Sequence, residues 1–162
     1  MMHLEGSCHC GAVRFVCRSR APYPFMHCYC SICRKVAGGA GSSVNLHADA
    51  ETLEVEGRAA IEVYRAYLDH PERTVQSESE RRFCRHCATM LWVWDPEWPE
   101  LVHPFASCID TPLPTPVERV HIRLADKPGW VLLPEGPGQR HFDEYPDESL
   151  IDWHRRHDLA DE

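Results

Sequence analysis

The stretch "HCYCSIC", residues 27–33, decides how the rest of the chain is read. It sets Cys28, Cys30 and Cys33 two and three positions apart, a C-x-C overlapped with a C-x-x-C. Three thiols are one short of a closed tetrahedral metal site. Either a fourth ligand arrives from a distant part of the chain, or the fourth position is kept for something else. Two further pairs carry the same spacings separately: Cys8 and Cys10 in "SCHCG", and Cys84 and Cys87 in "CRHC". A C-x-x-C turn brings both thiolates onto one metal, and extended backbone through a C-x-C puts i and i+2 on one face.

Spacing favours joining Cys8 and Cys10 with Cys84 and Cys87 in a four-cysteine zinc site that ties the N-terminus to mid-chain. Cys28, Cys30 and Cys33 are then left to hold a second metal with three ligands. The reverse grouping, Cys28 and Cys30 with Cys84 and Cys87, strands Cys33 and leaves Cys8 and Cys10 as an unpaired couple. Spacing by itself leaves both groupings open. Cys17 ends an apolar strand and Cys108 sits in another, so both read as buried hydrophobes. His9, His27 and His86 lie between or beside the cysteines and read as neighbours rather than as the missing ligand. A redox C-x-x-C is disfavoured because no thioredoxin-like βαβ pattern surrounds it. An iron–sulfur cluster would want four thiolates near one another.

The chain of 162 residues fits one domain, 1–162, and carries 43% apolar and 26% charged residues. No stretch approaches the roughly 18–20 uninterrupted apolar residues of a membrane span. "MMHLEGSCHCG" has no basic region followed by an apolar one, so no secretory signal is expected and cytoplasmic residence is. There nine cysteines stay reduced and act as metal ligands or reactive thiols. A formal net charge of −8 with no basic stripe excludes general nucleic-acid binding. An anionic small substrate would need a local basic patch. Arg34-Lys35 and Arg81-Arg82 with Arg85 are the candidates, and solvated surface charge is the plainer reading of each.

Alternation and β-branched or aromatic residues predict strands over 12–17, 25–28, 41–47, 52–56, 60–68, 74–83, 89–94, 100–109 and 118–124. The fold class is therefore mainly β. The thirteen prolines fall mostly after residue 95 and predict irregular connections there. A short helical turn is expected after Cys33, through "RKVAG", stopped by Gly38-Gly39. A C-terminal helix is expected over "ESLIDWHRRH", with Asp147 as its N-cap and an apolar stripe through Leu150, Ile151 and Trp153-His154.

Three thiolates on Zn²⁺ leave a net charge of −1, so the pull on a bound water is weak and water-activating hydrolysis is disfavoured. An exchangeable thiol suits the open position better: it would be deprotonated at neutral pH and remain nucleophilic. The resulting −2 cluster needs nearby donors, and Arg34-Lys35 directly follow Cys33. Tyr29, Ser31 and His27 flank the site, and the sequence assigns none of them as a general acid.

"GSCHCGAVRF", "CYCSICRKVAGG", "RFCRHCATML", "ASCIDTP" and "YPDESLIDWHRRHDL" together resemble, in order, the family of glutathione-dependent formaldehyde-activating enzymes, which includes the centromere protein V group. The resemblance runs over nearly the whole chain. It implies a zinc-bound β-tent of small antiparallel sheets with a short C-terminal helix. It implies that Cys8, Cys10, Cys84 and Cys87 hold a structural zinc, and that Cys28, Cys30 and Cys33 hold a second, catalytic one where glutathione approaches. The implied activity is formation of S-(hydroxymethyl)glutathione from glutathione and formaldehyde, a carbon–sulfur lyase reaction read in its joining direction. Three positions depart from the family's habit: Arg85 between the late cysteines, Ala88 after them, and Cys108 in "ASCIDTP". None removes a ligand. The alternative from another class is a non-catalytic zinc-stabilised binding module, or a glutathione-handling carrier.

Overall fold

The computed structural model describes residues 1–69 and 73–160; positions 70–72 and 161–162 of the expected domain lie outside the described residues. The strands are β1 (Met2–Ser7), β2 (Arg14–Ala21), β3 (Met26–Cys28), β4 (Ser43–Val44), β5 (His47–Glu56), β6 (Ile61–Tyr64), β7 (Tyr67–Asp69), β8 (Thr74–Gln76), β9 (Glu80–Cys84), β10 (Met90–Trp94), β11 (Leu101–Pro104), β12 (Arg119–Ile122) and β13 (Gln139–His141). Two short helices accompany them, α1 (Ser31–Val36) and α2 (Leu150–Arg156). The fold is mainly β with a short C-terminal helix, as the sequence and the resemblance imply.

The largest sheet is seven-stranded, ordered β1-β2-β5-β11-β10-β9-β6, and antiparallel at every pairing. Its alternating apolar residues build the main core, where Leu4, Val13, Phe15, Leu91, Val102 and Phe105 are buried. Phe15 meets Trp92 edge to face, with ring centroids 5.2 Å apart. A four-stranded sheet, β13-β12-β3-β4, carries the second core. There Phe25 stacks flat on Trp153 of α2 at 3.9 Å, against Val120 and Ile122. In this smaller sheet β12 runs parallel to both β3 and β13. Among the described residues no helix is long and apolar enough to cross a membrane.

Several elements differ from the sequence reading for local reasons. The run expected over 60–68 breaks after Tyr64, and β7 pairs with β8 instead of joining the large sheet. The run over 74–83 breaks at Ser77, whose hydroxyl accepts from the Ser79 amide at 3.2 Å and turns the chain. The strand expected over 100–109 stops at Pro104 and gives way to a 3-10 turn over Ala106–Cys108. Gly57 closes β5 with φ +75°; a Cβ there would lie 1.9 Å from the Ala12 carbonyl oxygen, so only glycine fits. Helix α2 is capped by Ser149, not Asp147, because the Ser149 hydroxyl is the group that accepts from the Asp152 amide, at 3.2 Å.

His154 docks α2 onto the sheet. Its Nδ1 donates to the Leu150 carbonyl at 2.7 Å, and its Nε2 accepts from the Tyr23 amide at 3.0 Å. The ring must be neutral to do both. Burial first, with the neighbouring His157 charge, lowers its pKa below the ordinary 6.5, against the opposing Leu150 hydrogen bond. A lowered folded-state pKa means that this stability is present above pH 6.5 and is lost as the pH falls below it, because the unfolded chain takes up the proton first. We expect acid to undock α2 before the large sheet melts. Trp153 fluorescence should therefore change at a higher pH than far-UV circular dichroism; coincident transitions would refute this.

Candidate metal and thiol centre

Two cysteine groups stand within the fold. The four-cysteine group joins the turn between β1 and β2 to the turn between β9 and β10. Cys8 is held by its amide donating to the Val13 carbonyl at 3.0 Å, while its Sγ accepts from the Val13 amide at 3.2 Å. On the other side the Cys84 amide donates to the Thr89 carbonyl at 2.9 Å, closing the C-x-x-C turn. The reversal needs Ala88 at φ +60°, in the left-handed region. An alanine there costs about 1 kcal/mol relative to glycine.

The sulfurs of Cys8, Cys10, Cys84 and Cys87 all lie within 4.8 Å of one another. Cys8 and Cys10 Sγ are 3.5 Å apart, and Cys10 and Cys84 Sγ 3.7 Å. A tetrahedron with metal–sulfur bonds of about 2.3 Å has sulfur–sulfur edges of about 3.8 Å, so this donor set fits a closed four-thiolate site. The Thr89 hydroxyl, 3.2 Å from Cys87 Sγ, leads the causes that bring the Cys87 thiol down to about 5. The early C-x-C and the late C-x-x-C thus face each other, in the grouping that spacing favours.

Cys28, Cys30 and Cys33 form the second group, also within 4.8 Å of one another and each half-buried. Cys28 ends β3, with Ser43 of β4 and Ile122 of β12 opposite it. Cys30 is the N-cap of α1, its Sγ accepting from the Cys33 amide at 3.3 Å, and Cys33 lies in the first turn. The expected helical turn is present but begins earlier, at Ser31 rather than after Cys33. Hydrogen bonds from the Cys28 and Cys33 thiols bring the Cys30 thiol down to about 2, while Cys28 is pushed up. Three adjacent sulfurs hold one negative charge best at Cys30, and a cation among them would replace the shared protons. No other thiol, imidazole or carboxylate completes this group among the described residues.

Arg34 and Lys35 line a cleft of about 380 Å³ between α1 and the late cysteine turn, with Gly38, Gly39, Thr89 and Ser107. Its lining does not include Cys28, Cys30 or Cys33. Arg34 Nε is buried there without a protein partner. A second cleft of about 380 Å³ lies on the large sheet, lined by Glu5, Arg14, Glu54, Glu56 and Asp110, and its acidic lining repels anions. Arg82 and Arg85 are ion-paired with Glu80 and Glu62, the plainer reading of that basic patch. Cys17 and Cys108 are buried, and burial pushes both thiols up to about 12. His9 and His86 are exposed and join neither group.

Tyr145 is the residue that sequence reasoning missed. Although Tyr145 is 62% exposed, partial desolvation first and then the charge of Cys28 push its phenol up, with Arg123 opposing and Cys30 and Cys33 adding smaller pushes. The Arg123 guanidinium lies over its ring at 5.7 Å and is itself fixed by Asp126 at 2.7 Å and by Glu144. Arg123 follows Ile122, the partner of Cys28, and its amide donates to the Glu144 carbonyl at 2.9 Å. This stitching carries Tyr145 toward the cysteines from 112 or more positions away, and no local motif announces it.

The sequence model of the glutathione-dependent formaldehyde-activating enzyme family matches residues 3–125. A relative from Halomonas elongata, provisionally named a glutathione-dependent formaldehyde-activating enzyme, is 56% identical over 155 residues, covering 96% of each chain. Among solved structures, a Rhodobacter sphaeroides protein aligns with 68% of this chain and 91% of its own, at 23% identity and a TM-score of 0.49.

Proposed function

Because the chain belongs to the glutathione-dependent formaldehyde-activating enzyme family, we propose that it joins glutathione, or another small thiol, to formaldehyde or a related aldehyde at a zinc ion held by Cys28, Cys30 and Cys33. In the reverse direction this is a carbon–sulfur lyase. Cys8, Cys10, Cys84 and Cys87 hold a second, structural zinc, and both sites belong to one cytoplasmic domain spanning 1–162. The observation that carries the reading is the contrast between the groups: four sulfurs that close a tetrahedron, and three that leave one position free.

Zinc, when bound, would supply the Lewis acidity that keeps a thiol ionised at neutral pH. Cys28, Cys30 and Cys33 serve as its ligands, with the Cys33 amide hydrogen-bonded to Cys30 Sγ. Arg34 and Lys35 attract the carboxylates of the tripeptide into their cleft, whereas the acidic cleft on the large sheet repels them. In the addition one S–C bond forms, the carbonyl π bond breaks, and the proton released from the thiol ends on the carbinol oxygen.

A native-state ligand must raise the melting temperature. Glutathione at a hundredfold excess over its Kd should add about 2.7 kcal/mol, or roughly 5–10 °C for a chain of this size. Adduct formation followed by NMR should exceed the uncatalysed rate. A flat melting curve together with the uncatalysed rate would favour the non-catalytic, zinc-stabilised module.

A further inference from the structure

Tyr29 sits between two cysteines, yet its side chain points away from them. The backbone from Met26 to Cys30 is extended: β3 ends at Cys28, the Tyr29 amide donates to the Ile122 carbonyl at 3.1 Å, and Cys30 has φ −57° and ψ 154°. Side chains alternate along extended backbone, so Cys28 and Cys30 share one face while His27 and Tyr29 share the other. On that other face the Tyr29 phenol is 4% exposed and lies 3.0 Å from His121 Nδ1. His121 is 1% exposed, and its Nε2 lies 2.8 Å from Gln139 Oε1. A carbonyl oxygen only accepts, so Nε2 carries the proton, Nδ1 is the acceptor and the Tyr29 hydroxyl donates.

The chain of hydrogen bonds crosses the small sheet in register. His27 faces His121, and His121 faces His141, on adjacent strands β3, β12 and β13. The His27 ring stacks on His121 with centroids 5.1 Å apart, and His141 meets His121 edge-on at 5.1 Å. Gln139 stands two residues before His141 and so shares its face. Every member of the row is thus tied to a neighbouring strand, and the Tyr29 phenol is held at His121, with the Ser42 side chain beside it.

We infer that the Tyr29–His121–Gln139 chain is the positioning device of the three-cysteine site. Fixing Tyr29 on one face of the sheet fixes Cys28 and Cys30 on the other, at the spacing a shared metal needs. Tyr29 is a positioning residue and touches no substrate. The inference rests on the reading that these cysteines hold a metal. Removing the hydroxyl leaves His121 Nδ1 a buried acceptor without a donor and releases the segment between the two ligands. Supports of metal ligands are worth about 10–100-fold in metal affinity.

The test is competition between the holoprotein and a chromophoric zinc chelator, for the wild type, Tyr29→Phe and Gln139→Ala. The wild type should release its two zinc ions in two steps. Tyr29→Phe should release the weaker one at about 10–100-fold lower chelator concentration and leave the tighter one unchanged. Gln139→Ala, at the far end of the chain, should shift the same step in the same direction by less, and serves if Tyr29→Phe does not fold. An unmoved first step in the variants, or an equal loss of both ions, overturns the inference. A wild type holding one zinc overturns the metal reading, and the inference with it.

Discussion

Replacing Cys84 by serine should unfold the protein or bring it to the edge of unfolding. Cys84 is fully buried at the end of β9, and its sulfur lies 3.7 Å from that of Cys10, 74 residues earlier. A cross-link closing a loop of this length is worth about 4 kcal/mol by chain entropy alone. The net stability of a domain is about 5–15 kcal/mol, so one broken link of this kind removes a large share of it. The hydroxyl is also a hard, neutral donor that cannot replace a thiolate on zinc. Circular dichroism should show a melting temperature lowered by about 6–16 °C, the equivalent of a loss of about 3–4 kcal/mol. Excess chelator should drive the wild type toward the same state. A serine variant melting within a few degrees of the wild type would show that the four-cysteine group is not a structural staple.

Cys30→Ser should do the opposite. Cys30 caps α1, and serine is among the best N-cap residues, so its hydroxyl can take over the hydrogen bond from the Cys33 amide. The helix keeps its cap while the site loses a thiolate. Melting should shift by no more than a few degrees, bound zinc should fall from two ions to one, and turnover above the uncatalysed rate should drop by at least ~10²-fold. Mass spectrometry under native conditions gives the metal count, and the NMR assay gives the rate. Full turnover with one zinc would place the reaction outside the three-cysteine group. Together the two serine variants separate a metal that folds the chain from one that serves chemistry.

The opposite expectations for two cysteines trace to what each level of structure fixes. The ligand sets of two and three cysteines were legible in the sequence because chelation by C-x-C and C-x-x-C is local, set by a turn or a pair of extended residues. The mainly β character and the C-terminal helix were legible for the same reason, since alternation and an apolar stripe are short-range patterns. The cap was misplaced by two residues, because Asp147 and Ser149 both suit it and only the hydrogen bond to Asp152 chooses. β1 and β13 escaped notice: β1 is interrupted by Glu5 and Gly6 and gains its order from β2, while β13 is three residues long beside Gly136, Pro137 and Gly138.

The remaining features depend on which distant segments meet. In the large sheet β5 and β11 lie between β2 and β10, yet the turn at Cys8 meets the turn at Cys84, and a grouping that spacing left open becomes a single set of sulfurs. Parallel pairing of β3 with β12 sets Tyr29 against His121, 92 residues later, and brings Arg123 with Tyr145 to the three cysteines. The same packing turns Arg34 and Lys35 into a cleft beside Thr89, although in sequence they directly follow Cys33. The sequence by itself determined the donors and their local bite, since those need only a few bonds of covalent chain. Tertiary structure alone decided which donors share a site, which side chains face it and which turn away, because strand register, unlike spacing, is a property of the whole packed chain.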